Sequence, residues 1–107
     1  MIVVNTDFIP GYRITETLGL ALGNTVRAKH IGKDILAGLR TVVGGEISEY
    51  SEMLMEARQK SMERMIEHAK QMQADAVINV RFTTSEIMQG TAEMLSYGTA
   101  VRVVKEG

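Results

Sequence analysis

The fold is decided by residues 44–72, whose sequence is GGEISEYSEMLMEARQKSMERMIEHAKQM. At about 100° per residue, the apolar and small side chains fall on one arc of a helix, and the opposite arc is polar. The apolar arc consists of Ile47, Tyr50, Leu54, Ala57, Ser61, Met62, Met65, Ile66, Ala69 and Met72. We therefore predict one long amphipathic helix over residues 46–72.

The apolar arc of this helix covers about half of its circumference, whereas packing against one core needs only about 100°. Small domains often gain stability by oligomerising, so the surplus apolar surface favours a subunit interface. The alternative is that Met55, Met62 and Ile66 lie at the flank of a wide core.

Arg58 projects from the middle of the apolar arc. Burying an unpaired guanidinium is costly, so we expect a carboxylate beside it, with Asp34 and Asp75 as candidates. The alternative is that the aliphatic part of Arg58 lies along the apolar surface and its guanidinium reaches water.

Composition predicts one domain over residues 1–107, because the chain is short and no linker or repeat divides it. The net charge of −1 gives no basic footprint for nucleic acid or for an anionic membrane. No apolar run approaches the ~18 residues of a membrane helix, and no signal sequence is visible, so we expect a cytoplasmic protein. The absence of cysteine excludes disulfides, thiolate metal sites and a cysteine nucleophile.

Alternating polar and apolar residues predict strands on both sides of the helix. Residues 12–29 keep their apolar side chains at even positions, which predicts one buried face that includes Leu20, Leu22 and Val26. Gly19 and Gly23-Asn24 interrupt this pattern and favour a bend, a bulge or a hairpin there.

The remaining segments complete the predicted order of elements. Residues 31–43 have apolar side chains at helical spacing and end at Gly44-Gly45, which predicts a short helix and a glycine joint. Residues 1–5, 76–83 and 92–104 are predicted as strands. This order favours an α+β, two-layer fold, in which an antiparallel sheet carries the short helix and the long helix on one face. The other sheet face must meet water or a neighbouring subunit.

Several residues carry a resemblance to a known family: Lys33-Asp34, Arg40, Gly44-Gly45, Tyr50, Leu54, Ala57-Arg58, Ala74-Asp75 and Tyr97-Gly98. The whole chain resembles the YbjQ-like family of small bacterial and archaeal proteins of unknown function. The resemblance implies a dodecin-like α+β subunit that assembles as a ring-shaped homopentamer. One departure is Gln73, where the family usually has glycine. We expect the geometry of the helix end to change there, because a left-handed backbone is unfavourable for glutamine.

The family also carries a heavy-metal-binding label, but the sequence contains no metal motif, and we predict no metal site and no cofactor. His30 and His68 lie on different predicted elements and in no HxH, HxxxH or HExxH arrangement. We interpret Glu63, Glu67 and His68 as part of a charged helix surface.

The polar positions that match the family pattern are Asp34, Arg40, Tyr50 and Arg58. They have an architectural interpretation, in which Asp34 and Arg58 form a partly buried pair between helices. They also have a functional interpretation, in which they line a pocket at the subunit boundary.

Two functional hypotheses follow. The first is a non-enzymatic, ring-forming cytoplasmic homo-oligomer that binds a small ligand or a metal ion between subunits. The alternative is an enzyme with an interfacial site, using Asp34 or Tyr50 as acid or base and Arg40 or Arg58 to hold an anion. No nucleophilic triad, P-loop or dinucleotide fingerprint accompanies these residues.

Overall fold

The computed structural model describes residues 1–28 and 48–106. Their elements, in chain order, are β1 (Ile2–Val3), β2 (Tyr12–Ala28), α1 (Ser48–Gln71), β3 (Ala76–Met88) and β4 (Thr91–Lys105). The predicted short helix and the Gly44-Gly45 joint lie outside the described residues. No helix within these residues combines the length and the apolar character that crossing a membrane requires.

The four described strands form one sheet in the order β1-β3-β4-β2. β2 and β3 each pair antiparallel with β4, but β1 pairs parallel with β3, through Ile2 opposite Ala76 and Val3 opposite Val77. The prediction of an antiparallel sheet is therefore wrong, and the sheet is mixed. A parallel pair needs a long crossover connection, and here β2 and α1 lie between its two strands in the chain.

β2 is one continuous strand and not a hairpin, although its pairing with β4 shifts between Ile14 and Glu16 and again between Thr17 and Gly19. The backbone φ of Gly19 is 120°, a value that glycine adopts without the penalty of a side chain. The interruption predicted at Gly19 is thus present, as a shift in the pairing register. Gly23-Asn24 continues the ladder without interruption.

The face of β2 that packs under the helix is the opposite of the predicted one. Leu20, Leu22 and Val26 are 60%, 45% and 51% exposed, whereas the intervening residues Ala21 and Thr25 are buried. The physical reason is that the small side chains of β2 allow a closer approach of α1 than leucine would.

The helix buries every fourth residue along one side, at Met53, Ala57, Ser61, Met65 and Ala69. Met65 and Ala69 form a core with one residue from each of the longer strands, Ala21, Val77 and Ala100, and with Val80. A second cluster lies on the other sheet face, where the N-terminal segment covers the sheet. Its buried members are Ile9, Ala76, Ile78 and Val101.

The helix ends in a left-handed residue despite the absence of glycine. Gln73 has φ of 64°, its N–H donates to the carbonyl of Lys70 (2.9 Å), and the N–H of Ala74 donates to the carbonyl of Ala69 (3.0 Å). These two bonds are those of a Schellman motif. The expectation that Gln73 changes the geometry of the helix end is therefore wrong. The motif forms although a left-handed backbone is unfavourable for glutamine.

Candidate functional site

A groove of about 540 Å³ lies between the first half of α1 and β3. It is lined by Glu52, Met55, Glu56, Arg58, Gln59, Met62, Glu63 and Phe82. Met55 and Phe82 are 60% and 43% exposed, so its apolar surface is open to water. Such a concave surface, with apolar and charged side chains side by side, is a candidate binding site.

The position of α1 explains this groove. The helix packs over β2 and β4 because the small residues of those two strands allow its backbone to approach closely. Phe82 and the following residues 83–89 are all exposed on the far side of β4. Phe82 pairs with the buried Ser96, which places the phenyl ring on the helix side of the sheet. The groove is thus the space between the flank of the helix and an uncovered strand.

The charges of the groove are mixed, with carboxylates in the majority. Glu52, Glu56 and Glu63 are exposed around the single guanidinium of Arg58. Glu63 also lies 3.5 Å from the ammonium of Lys60, an exposed pair that contributes little stability. Chemically, the groove offers apolar contact together with one anion-binding and several cation-binding groups.

A second groove of about 410 Å³ adjoins the first and shares Met62 and Phe82 with it. The guanidinium of Arg81 lines this groove and donates from Nη1 to the carbonyls of Asn5 (2.9 Å) and Val80 (3.0 Å). Arg81 therefore fastens the N-terminal segment beside β3.

The described residues do not bring the predicted site residues together. Asp34 and Arg40 lie outside the described residues, and Tyr50 belongs to α1 but its side chain is not described. Arg58 is exposed in the first groove. Their convergence on one pocket stays a prediction.

The carboxylate partner expected for Arg58 is not Asp75. Oδ2 of Asp75 accepts the N–H of Val103 (3.0 Å), and no carboxylate that the structure describes forms an ion pair with Arg58. In the described part of the chain Arg58 follows the alternative expectation, with its guanidinium in water. The proposed pair with Asp34 stays a prediction.

His68 has a structural contact that the sequence did not reveal. Its Nδ1 accepts the backbone N–H of Leu22 (3.0 Å), so the neutral imidazole carries its proton on Nε2. One turn earlier, Nη1 of Arg64 donates to the carbonyl of Asn24 (2.7 Å) and to the hydroxyl of Thr25 (3.3 Å). Over residues 1–28 and 48–106, no group of three or more histidine or acidic side chains is placed to hold a metal ion.

The spacing of Arg64 and His68 explains their joint role at the edge of β2. Four helical residues rise about 6 Å, and two strand residues rise about 6.6 Å. The two side chains therefore match the backbone groups of Leu22 and Asn24. The only signal in the sequence was two polar residues four apart on one side of the helix.

Comparison with known proteins gives a family match over residues 1–104, to a model described as "putative heavy-metal-binding" and called YbjQ. A UPF0145 protein of Methanosarcina acetivorans is 61% identical over 104 residues, covering 97% of this chain and 98% of the relative. UPF0145 proteins of Archaeoglobus fulgidus and Thermus thermophilus are 59% and 54% identical over 103 residues, covering 96% of this chain and 95% and 90% of the relatives.

Among solved structures, a protein of unknown function from Pediococcus pentosaceus, assigned to the DUF74 family, matches with a TM-score of 0.60. The two chains are 17% identical, and the match covers 97% of this chain and 98% of the other. This likeness shows a shared fold and nothing about activity.

Proposed function

This chain belongs to the YbjQ-like family of UPF0145 proteins, and we propose that it is a ring-forming homo-oligomer whose subunit contacts create a binding site for a small ligand or a metal ion. The proposed ring has five subunits, as the family resemblance implies, and it acts in the cytoplasm. Its subunit is two-layered and dodecin-like, a proposal that the position of α1 over β2 and β4 supports.

The observation that carries the proposal is an uncovered apolar surface on the sheet face away from the helix. It consists of Leu20, Leu22 and Val26 of β2 beside the half-buried Leu95 and Tyr97 of β4. Leu22 pairs directly with Tyr97, so these side chains form one continuous surface. A surface of this kind on a small domain is typical of a protein interface.

A second apolar surface supports a ring over a simple pair. Met55 and Phe82 are exposed on the helix side of the sheet, opposite to Leu22. When one surface of a subunit contacts a different surface of its neighbour, the head-to-tail association forms a ring if the rotation between neighbours closes, and an open filament if it does not. Each subunit in such a ring buries both surfaces.

The dimensions of the subunit agree with this arrangement. Its extents are 58 × 25 × 15 Å and its radius of gyration is 17.6 Å. A compact chain of this length has a radius of gyration of about 13 Å. The part of the chain that the structure describes is thin and elongated, and a domain of that shape gains buried apolar surface by packing against neighbours.

The groove along α1 is the proposed place for a small ligand. Met55, Met62 and Phe82 supply apolar contact, and Arg58 supplies an exposed guanidinium. A neighbouring subunit would cover the open side of this groove. A ligand there would then be largely buried, as ligands in binding pockets usually are. A metal ion held by the described residues would need donors from two subunits, because no three such donors of one subunit lie together among them.

Native mass spectrometry tests the assembly and its ligand together. We expect a closed oligomer for the wild type, and monomers for Leu22→Glu, because a carboxylate in the sheet surface must be desolvated on association. Gln71→Glu adds the same charge on the exposed side of α1 and should leave the oligomer intact. A monomeric wild type at micromolar concentration would refute the ring.

The same experiment tests the ligand. The purified protein is measured alone and then with a small excess of Zn²⁺, Ni²⁺ or Cu⁺. A stoichiometric added mass supports the binding site and identifies what binds. An oligomer without any adduct would leave the assembly standing and remove the ligand from the proposal.

The exposed side chain of Arg58, which has no carboxylate partner among the described residues, favours a second candidate function. This is an enzyme with an interfacial site that uses Asp34 or Tyr50 as acid or base and Arg40 or Arg58 to hold an anionic substrate. Binding of inorganic phosphate or a small carboxylate, measured by calorimetry, should then be lost in Arg58→Met. Equal affinity in the variant and the wild type would count against this candidate.

A further inference from the structure

The outer edge of β3 is uncovered along most of its length. β1 pairs with β3 only through Ala76 and Val77, and the N–H of Val80 donates to the carbonyl of Val4 (3.1 Å). Beyond Val80, no described strand lies beside β3, and residues 81–89 are all exposed. These residues include the apolar Phe82, Ile87 and Met88.

The hydrogen-bond pattern identifies the groups at this edge. Because the N–H of Leu22 points away from β4 to His68, Leu22 and Tyr97 form a non-hydrogen-bonded pair. The backbone groups of Tyr97 then point to Arg81 of β3.

The same alternation continues along β3. Thr83 and Ser85 direct their backbone groups to β4, whereas Phe82, Thr84 and Glu86 direct theirs outward. The N–H of Val80, which donates outward to Val4, has the same even parity. The free edge therefore presents three N–H groups and three C=O groups at the regular spacing of a β-ladder.

The opposite edge of the sheet, on β2, is protected. Its two irregularities, between Ile14 and Glu16 and between Thr17 and Gly19, disturb the regular spacing of the outward groups. Further along, His68 and Arg64 already occupy the outward N–H of Leu22 and the C=O of Asn24. Bulges and covering side chains are the means by which proteins prevent strand addition at an edge.

We propose that the β3 edge pairs antiparallel with the β3 edge of a second copy of this chain, around a two-fold axis at Thr84. A second copy is the occupant because it carries the one regular, unoccupied edge in the part of the chain that the structure describes. Residues 82–88 contain neither proline nor lysine to oppose pairing. In this register Glu86 faces Phe82 of the second copy, so no like charges are opposed.

This contact goes beyond the proposed ring. Neighbouring subunits of a five-membered ring are related by a five-fold rotation, so a two-fold contact joins one ring to another. If the chain forms no ring, the same contact makes a dimer. In either case, breaking the contact halves the number of subunits.

The test is Thr84→Pro, with Thr84→Val as its matched control. Proline removes an N–H that points outward and is tolerated at such an edge position, so the ladder with β4 stays intact. Valine keeps the backbone N–H and replaces the hydroxyl, which donates to Sδ of Met94 (3.2 Å), with a methyl group. By native mass spectrometry we expect half as many subunits for Thr84→Pro as for Thr84→Val and the wild type.

Two outcomes of this measurement overturn the proposal. One is an unchanged subunit number in Thr84→Pro. The other is the collapse of a larger ring to monomers, which would assign this edge to the ring contact. If Thr84→Pro forms an intact ring with the same number of subunits as the wild type, only the edge pairing is refuted. If the wild type is a dimer and Thr84→Pro is a monomer, the edge pairing is supported and the ring is refuted.

Amide exchange in the wild type keeps the test independent of whether the proline variant folds. Under the proposal, the amides of Phe82, Thr84 and Glu86 are as protected as those of Thr83 and Ser85. Alternating fast and slow exchange along residues 82–86 in the assembled protein would overturn it.

A disulfide can be placed at the two-fold axis because the chain has no cysteine. Opposed residues in a hydrogen-bonded antiparallel pair have Cα atoms about 5.5 Å apart, within the range that a disulfide spans. We expect Thr84→Cys to give a covalent dimer on mild oxidation. Ile87→Cys serves as the control, because residue 87 lies away from the axis and should cross-link far more slowly.

Discussion

Gly23 of β2 lies directly beneath Met65 of α1, with no room between strand and helix for a side chain. A methyl group at position 23 would overlap the backbone nitrogen of Met65 and the carbonyl oxygen of Ser61. The helix backbone therefore rests on the strand backbone at this point. The orientation of α1, and with it the groove beside β3, depends on this contact.

We predict that Gly23→Ala lowers the free energy of unfolding by about 3 kcal/mol, because the overlapping atoms belong to the main chain and must move together. Urea denaturation at 25 °C measures this change. Asn24→Ala is the control, because Asn24 is exposed and its substitution should cost less than about 0.5 kcal/mol. Equal midpoints for the two variants would contradict the close approach.

The position of Gly23 also explains why the sequence misled us about β2. Leucine and valine at even positions are typical of the buried face of a strand that packs at ordinary distance, and for β2 that prediction is wrong. Here the helix approaches so closely that only Ala21, Gly23 and Thr25 fit beneath it, and the larger side chains face away. Periodicity records which residues share a face, but the closeness of a neighbouring backbone decides which face is covered.

We predict that Gln73→Gly raises the free energy of unfolding by about 1 kcal/mol relative to Gln73→Ala. Glycine adopts the left-handed backbone without steric strain, whereas alanine keeps the Cβ that makes this conformation unfavourable. Both variants lose the exposed hydrogen bond from Nη2 of Arg102 to Oε1 of Gln73 (3.1 Å), so that loss cancels in the comparison. Equal stability of the two variants in urea would refute backbone strain at this position.

The candidate site was harder to predict than the helix. Arg58 was expected among apolar neighbours, and it does belong to the flank that carries Met55 and Met62. The pattern of apolar residues could not predict that β3 leaves this flank of the helix exposed. The exposure depends on which strands the helix covers. The hydrogen-bond partners of His68 and Arg64 could not be predicted for a related reason. They are backbone groups, which carry no residue-specific signal.

We predict that His68→Ala accelerates hydrogen exchange of the Leu22 amide at least tenfold, because its only described acceptor is Nδ1 of His68. The Gly23 amide, which faces β4, should change far less and is the internal reference. Lys70→Ala, on the exposed side of α1, is the control, and equal acceleration in that variant would refute the contact.

The last prediction concerns two buried hydroxyls, Ser61 of α1 and Ser96 of β4, whose oxygens lie 2.6 Å apart. Ser61 donates its one hydrogen to the carbonyl of Arg58 (2.8 Å), so Ser96 must be the donor between the two serines. Ser61→Ala therefore strands a buried hydroxyl and should cost about 2 kcal/mol, whereas Ser96→Ala leaves Ser61 satisfied and should cost about 1 kcal/mol. The double variant leaves no stranded group and should be no less stable than Ser61→Ala alone. Urea denaturation of the four proteins completes this cycle, and additive losses would show that the two hydroxyls do not bond to each other.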